Sequence, residues 1–300
     1  MKHLLVASDL SHRSEMAIAQ AFFLARRFNA SLTVLHIVDD ELPATVFNAT
    51  RSQAESNLRA TVEGMIGAET MRISVRVIGG LDFQSILDVT EEEDASLIIL
   101  GAHRRSLLKD VLTGTTVERV IRNASTPVLV VKRPTCGSYV CTLAAVELVE
   151  EAASVFRYAH LMADGQSLYA VHVLNDLVTL QMKAAGCGTA AVEDHQARIC
   201  QRCESALRGV ARRAKVPLEG WLPVVHWGSD PASEILVAAE TFGAELGVVG
   251  TRTRDKGLIE RGLFGSIAER LLLDMTCDVL AVPLTSTTPL SEAAGIATLG

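Results

Sequence analysis

The chain has 300 residues, close to two domains of ordinary size, and is 49% hydrophobic, 21% charged and only 4% aromatic. Such a composition suits a folded globular chain whose cores are built from Val, Ile, Leu and Ala rather than large rings. A formal net charge of −7 argues against a general affinity for nucleic acid or anionic membrane, and no stretch approaches the ~18 apolar residues of a membrane span.

Strand and helix signals alternate along the first half. Residues 2–8 read as a short buried strand. Its apolar run, Leu4 to Ala7, is too short for a secretory signal and is interrupted by Asp9, so the expected location is the cytoplasm, with the six cysteines reduced. From His12 to Phe28 the residues Ile18, Ala21, Phe22, Ala25 and Phe28 follow helical spacing, and Asn29 suits the stop. A second strand is predicted over 32–38, a polar helix over 45–66 and a third strand over 73–78, ended by Gly79-Gly80. A helix over 83–92 leads to a fourth strand, Leu97 to Leu100, which closes on Gly101. A basic loop follows (His103, Arg104, Arg105, Lys109). Then Gly114-Thr115-Thr116 opens a last helix before a fifth strand at Val128 to Val131.

The second half repeats this order. Val140 to Val146 aligns with the first strand, placing Glu147 where Asp9 stands, and His172-Val173 aligns with His36-Ile37. Gly228 precedes Gly250 by 22 residues, as Gly79 precedes Gly101 by 22. A second basic loop (Arg252, Arg254, Lys256, Arg261) reaches Gly265-Ser266, and Asp278 to Pro283 gives the last strand. About 13 residues are inserted between the second and third strands of this half, and the Gly-rich piece 184–191 is the place for them. Residues 286–300 read as a loose tail. The expected domains are 1–134 and 137–285.

Near-continuous apolar strands separated by amphipathic helices imply parallel sheets covered on both faces, hence two doubly wound α/β domains. Ligands in such sheets bind beyond the carboxyl ends of the strands, where Asp9, Ile37 and Gly101 fall. A strand ending in glycine, followed by glycine and a hydroxyl residue at a helix start, suits a phosphate: backbone N–H groups converge there and the helix dipole favours negative charge. Other readings stand beside this one. Thr115 with Glu118 and Ser266 with Glu269 each spell a helix capping box. Asp9 equally suits a cap for the following helix or a turn, and His36 and His172 suit packed structural histidines. Cys200 and Cys203 form a C-x-x-C pair within a helix, with no second pair nearby to complete a zinc site, and read as small residues on a helix face.

The arrangement G-x2-G-x9-G-[ST] between a fourth strand and a last helix resembles the signature of the universal stress protein family. The first half shows it as Gly101, two residues, Arg104, nine residues, Gly114-Thr115, with Arg104 in place of the middle glycine. The opening VASDLSHRSEMAIAQAFFLARRFNASLTVLHIVD is similar to the family's first strand, helix and second strand. Both halves carry the likeness, so the chain resembles a tandem member with two five-stranded, Rossmann-like domains.

The resemblance implies binding of ATP or another adenine nucleotide, with Mg2+ or Mn2+ sharing the charge of a triphosphate. Asp9 and the Ile37 backbone would contact the nucleoside, and Leu100 and Gly101 the ribose and phosphates. Gly114, Thr115 and Thr116 would donate to the phosphates, and Arg104 would add a charge-assisted contact. The matching second-half positions are Glu147, Val173, Val249, Gly250, Gly265, Ser266 and Ile267, where Thr253 replaces glycine and the loop is two residues longer. The family also implies pairing of the two halves through their last strands, further dimerisation, and a protein partner that reads nucleotide occupancy. No Walker lysine, H-E-x-x-H or G-x-S-x-G is present, so the expected role is binding, with slow ATP hydrolysis as the most catalysis would amount to. The alternative is a protein-interaction or chaperone-like stress module whose sites have decayed, motivated by Arg104 and Thr253.

Overall fold

The computed structural model describes residues 1–65, 67–102, 115–134, 137–149, 151–252 and 265–284. The expectations for Arg104, Gly114 and the basic loops beyond Arg252, and for the tail 286–300, lie outside the described residues. Among the described residues, one compact unit holds 1–137 together with 276–283, and a second holds 138–252, 265–275 and 284.

The first unit opens with β1 (His3–Ala7), α1 (His12–Phe28), β2 (Ser31–Val38), α2 (Ala44–Glu63) and β3 (Ile73–Gly79). It continues with α3 (Asp82–Glu92), β4 (Leu97–Gly101), α4 (Thr116–Asn123) and β5 (Val128–Val131). The strands lie in the order β3-β2-β1-β4-β5, all parallel. Chain order therefore reverses direction between β1 and β4, and a crevice opens there at the carboxyl ends of the strands. The strands are buried on both faces, with Leu4, Leu5, Val6, Leu97, Ile98 and Ile99 all fully enclosed.

Helix α1 begins and ends where its sequence says it must. Ser11 takes the N-cap in an extended conformation and its hydroxyl accepts the Ser14 N–H, while Asn29 adopts the left-handed conformation (φ 49°) that stops the helix. Its core stripe is Ala17, Ile18, Ala21, Leu24 and Ala25, whereas Phe22 and Phe28 are only half-buried. At the opposite end of the sheet from the crevice, the Glu93 carboxylate accepts from the Thr33 hydroxyl (2.6 Å) and the Arg76 guanidinium (2.6 Å) and meets His3 Nε2 (2.8 Å). This network ties β1, β2 and β3 to the end of α3.

The second unit runs β6 (Cys141–Ala145), α5 (Ala152–Ala163), β7 (Ser167–Leu174), α6 (Leu177–Ala184), α7 (Thr189–Arg213) and β8 (Leu222–Trp227). It continues with α8 (Pro231–Thr241), β9 (Leu246–Arg252) and α9 (Ser266–Asp274). The order β8-β7-β6-β9 is again parallel. The extra residues of this half form α6 and its junction with α7, where Gly186 takes φ +77°. Within α7, Cys203 faces the core and Cys200 is half-buried, and both are free thiols. Burial, then the neighbouring Cys200, pushes the Cys203 thiol up, which suits a packing role over a reactive one. No described helix is long and apolar enough to cross a membrane.

The last strand, β10 (Asp278–Leu284), runs antiparallel against β5, with Leu280 opposite Leu129 and Val279 opposite Val130. The buried Asp278 side chain accepts the backbone N–H groups of Lys132 (2.8 Å) and Arg133 (3.2 Å), locking the strand in register. Asp278→Ala leaves two donors without that acceptor, and a loss of about 1–3 kcal/mol is expected, measured by urea unfolding.

Candidate functional site

At the crevice between β1 and β4, the first turn of α1 lies directly on the end of β4. A Cβ at Gly101 would stand 2.8 Å from the Arg13 carbonyl oxygen and 3.1 Å from the Ser14 nitrogen. Only glycine permits this approach, and Arg13 Nη1 reinforces it by donating to the Ala102 carbonyl (3.3 Å). Beside the contact opens a cleft of about 720 Å³, bounded by the ends of β1, β2 and β4 and the starts of α1, α3 and α4.

The turn from β1 into α1 forms the cleft's rim. Leu10 takes φ +61°, an uncommon conformation for a branched residue. Side chains hold it there: the Ser8 hydroxyl accepts the Leu10 N–H (3.1 Å) and donates to Ser14 Oγ (2.9 Å), and Asp9 Oδ1 accepts the Ser11 N–H (3.0 Å). Desolvation by its neighbours pulls the Asp9 carboxyl upward. Hydrogen bonds from Ser11 and Ser14 outweigh that and hold it below the usual carboxylate range, so the group is charged at neutral pH. Asp9 is thus both a turn former and an exposed carboxylate on the rim. On β2, His36 Nδ1 lies 2.7 Å from the Ser8 carbonyl. As the donor to a carbonyl, Nδ1 carries a proton.

Helix α4 supplies the opposite wall. Thr115 is its N-cap in a complete capping box: its hydroxyl accepts the Glu118 N–H (3.3 Å) and the Glu118 carboxylate accepts the Thr115 N–H (3.2 Å). The Thr116 hydroxyl donates to the carboxylate of Asp82, the first residue of α3. Nearby, the Arg119 guanidinium lies 3.8 Å from the Phe83 ring centroid, joining the same two helices.

Of the residues named from sequence, the cleft brings together Asp9, Ile37, Leu100, Gly101 and Thr116. Thr115 adjoins the lining residues with its hydroxyl engaged in the cap. Sequence reasoning missed Ser8, Arg13 and Asp82. Asp82 had a signal: it follows Gly79-Gly80 at the carboxyl end of the third strand, the side on which such sheets bind ligands.

The equivalent region of the second unit is built differently. His172 Nδ1 again meets a carbonyl, that of Val146 (2.9 Å), while Glu147, beyond the end of β6, is exposed. Burial pulls His172 below its ordinary pKa, against the Val146 hydrogen bond and the Glu147 charge. Val173 is the next-to-last residue of β7, but β9 runs on past Val249 and Gly250 to Arg252, where the sequence suggested a strand ending at the glycine, and a Cβ at Gly250 would meet Leu284 Cδ1 at 2.9 Å. A leucine side chain therefore covers the position at which Gly101 carries helix backbone. The expected capping box of Ser266 and Glu269 is not formed. Gly265 (φ 97°) is the N-cap, with no side-chain cap bond, which puts Ser266 and Ile267 already inside the helix. Arg270, the counterpart of Arg119, instead pairs with Asp230 (2.5 Å) at the start of α8. Hydrogen bonds from Ser233 and then Arg270 hold that carboxyl at about 2.

The chain matches the family model described as the universal stress protein family over residues 1–132 and again over 142–283. A universal stress protein of Methanocaldococcus jannaschii is 29% identical over 142 residues, covering 44% of this chain and 83% of that protein. One from Mycobacterium tuberculosis is 32% identical over 132 residues, covering 43% of this chain and 44% of that protein. Among solved structures, a universal stress protein from Archaeoglobus fulgidus shares the fold with a TM-score of 0.70. The likeness covers 94% of this chain and 98% of that one, at 18% identity.

Two outcomes are expected from this geometry. Gly101→Ala forces a methyl group into the backbone of α1 and lowers stability by about 1–3 kcal/mol, read from denaturant midpoints. His172 is held neutral in the folded state, so the unfolded chain takes up its proton first as pH falls. Stability therefore drops as pH falls from about 6.5, well above the range near 4 in which ordinary carboxylates titrate. Urea titrations between pH 7 and 5 should show this drop, and His172→Gln should flatten it.

Proposed function

This chain belongs to the universal stress protein family, and on that premise we propose that its first unit is an adenine-nucleotide site. Occupancy by ATP or a related nucleotide is read by a protein partner, which makes the chain a sensor or regulator in the cytoplasm rather than an enzyme. One observation carries the reading: Asp9, Ile37, Leu100, Gly101 and Thr116, drawn from four separate elements and turns, line a single cleft. Its volume, about 720 Å³, lies within the few hundred to thousand Å³ usual for small-molecule sites.

The chemistry of the walls divides the ligand. Leu35, Ile37 and Ile86 offer apolar contact for a base, and the charged Asp9 accepts hydrogen bonds from ribose hydroxyls. The phosphates fall toward Gly101 and the start of α4, where the first N–H groups and the helix dipole favour negative charge. The Thr115 hydroxyl accepts within its cap, and its own proton is available to a phosphate oxygen. Among the described residues no cluster of three or more His, Cys, Asp or Glu could hold a metal ion. A Mg2+ or Mn2+ arriving with a triphosphate thus takes most of its oxygen ligands from phosphate and water.

The second unit, on this reading, carries no nucleotide. Leu284 fills the space over Gly250, Glu147 replaces the aspartate, and Arg270 is committed to Asp230.

Denaturing the purified chain and identifying the released small molecules tests the reading directly. An adenine nucleotide is expected there, or a rise in melting temperature with millimolar ATP and magnesium. Neither result in hand, the nucleotide reading fails. Calorimetric titration should find one nucleotide per chain, and two would overturn the assignment of the second unit. Release of phosphate or AMP above background over hours would instead make the chain a hydrolase.

A further inference from the structure

We propose that Asp82 makes nucleotide binding in the first-unit cleft depend on a divalent cation, so that the species taken up is the cation complex of a triphosphate. This deepens the adenine-nucleotide reading and rests on it. Asp82 opens α3 and lines the cleft, and its carboxylate accepts the hydroxyl of Thr116, which opens α4. At the helix start where a phosphate would gather donors, one hydroxyl is already given to an anionic group. The described lining carries two carboxylates, Asp9 and Asp82, against one guanidinium, Arg13, which donates to the Ala102 carbonyl. Placed beside this wall, an uncomplexed triphosphate meets like charge.

Hard divalent cations prefer oxygen ligands and are held at nucleotide sites by one or two carboxylates together with substrate phosphates. Asp82 is the carboxylate so placed, beside the start of α4 at the phosphate end of the cleft, its oxygens accepting the Phe83 N–H (2.7 Å) and the Thr116 hydroxyl, whereas Asp9 stands apart at the turn after β1. Its partner Thr116 lies on the same wall, so the pair distinguishes a complexed from an uncomplexed phosphate chain by charge. The two helices are also joined by Arg119 over Phe83, so replacing Asp82 leaves α3 and α4 connected.

The test titrates the full chain with ATP, at constant ionic strength, in magnesium or in EDTA, with adenosine as a phosphate-free reference. Wild type should bind ATP at least tenfold more weakly in EDTA. In Asp82→Asn that ratio should shrink more than threefold, and Asp82→Glu should restore it. A ratio in Asp82→Asn within threefold of the wild-type value overturns the proposal, as does wild-type binding of ATP indifferent to magnesium. If adenosine binds and the magnesium dependence is absent, this proposal alone fails. If neither adenosine nor ATP binds wild type in any condition, the nucleotide reading itself falls. Circular dichroism checks folding, and Asp82→Ser, which keeps a small polar side chain at the helix start, replaces Asp82→Asn under the same criterion if the latter does not fold.

Discussion

The backbone of α1 rests on the last residue of β4, and the candidate site depends on that contact. With no side chain at Gly101, the first turn of the helix descends to within 2.8 Å of where a Cβ would be. The chain leaving β1 must then turn sharply within four residues, which places Leu10 at positive φ and obliges Ser8, Asp9 and Ser11 to hold the turn with their side chains. The rim of the cleft, the charge on Asp9 and the direction of Arg13 all follow from one missing methyl group.

The two repeats show how the same plan is spent differently. Both keep a glycine in the strand before the basic loop, and both keep a histidine bonded to the carbonyl just past the first strand of the repeat. Around these fixed points the contents change. Helix backbone covers Gly101 and a leucine side chain covers Gly250. Arg119 lies over an aromatic ring, and its counterpart Arg270 pairs with a carboxylate. The first copy thereby keeps a cavity with polar groups facing into it, while the second puts its polar groups into contacts between its own helices.

Much of this was legible because local rules and tertiary needs agree. The span of α1 follows from Ser11, Asn29 and the apolar spacing between them, and central strands such as β1 and β4 are apolar runs bounded by glycine or polar residues. The cleft was found through Asp9, Ile37 and Gly101 because strand ends are readable without knowing side-chain directions. Asp82 was missed because its pairing with Thr116 comes from α3 meeting α4, a contact between segments over thirty residues apart, and only its place after the third strand was readable. The capping motif misled at Ser266 for a related reason. The spelling S-x-x-E is the same in both halves, but Gly265 at φ 97° begins the second helix one residue earlier. The half-buried Phe22 and Phe28 show the limit of periodicity: spacing gives a face, and the sheet chooses how much of it to cover.

The place of β10 bears on how the molecule is made. Leu129 pairs with Leu280, and these positions are 151 apart, the same separation as Gly114 and Gly265. The outer edge of β5 thus has no partner until a strand translated about 150 residues later has left the ribosome. At roughly 5–20 residues per second, the nascent chain carries the bare apolar edge of Val128 to Val131 for about 8–30 s. An open edge of that composition is a template for pairing with other chains. Growing polypeptides on neighbouring ribosomes are therefore the hazard against which this arrangement must be protected, and the folded protein shows none of it.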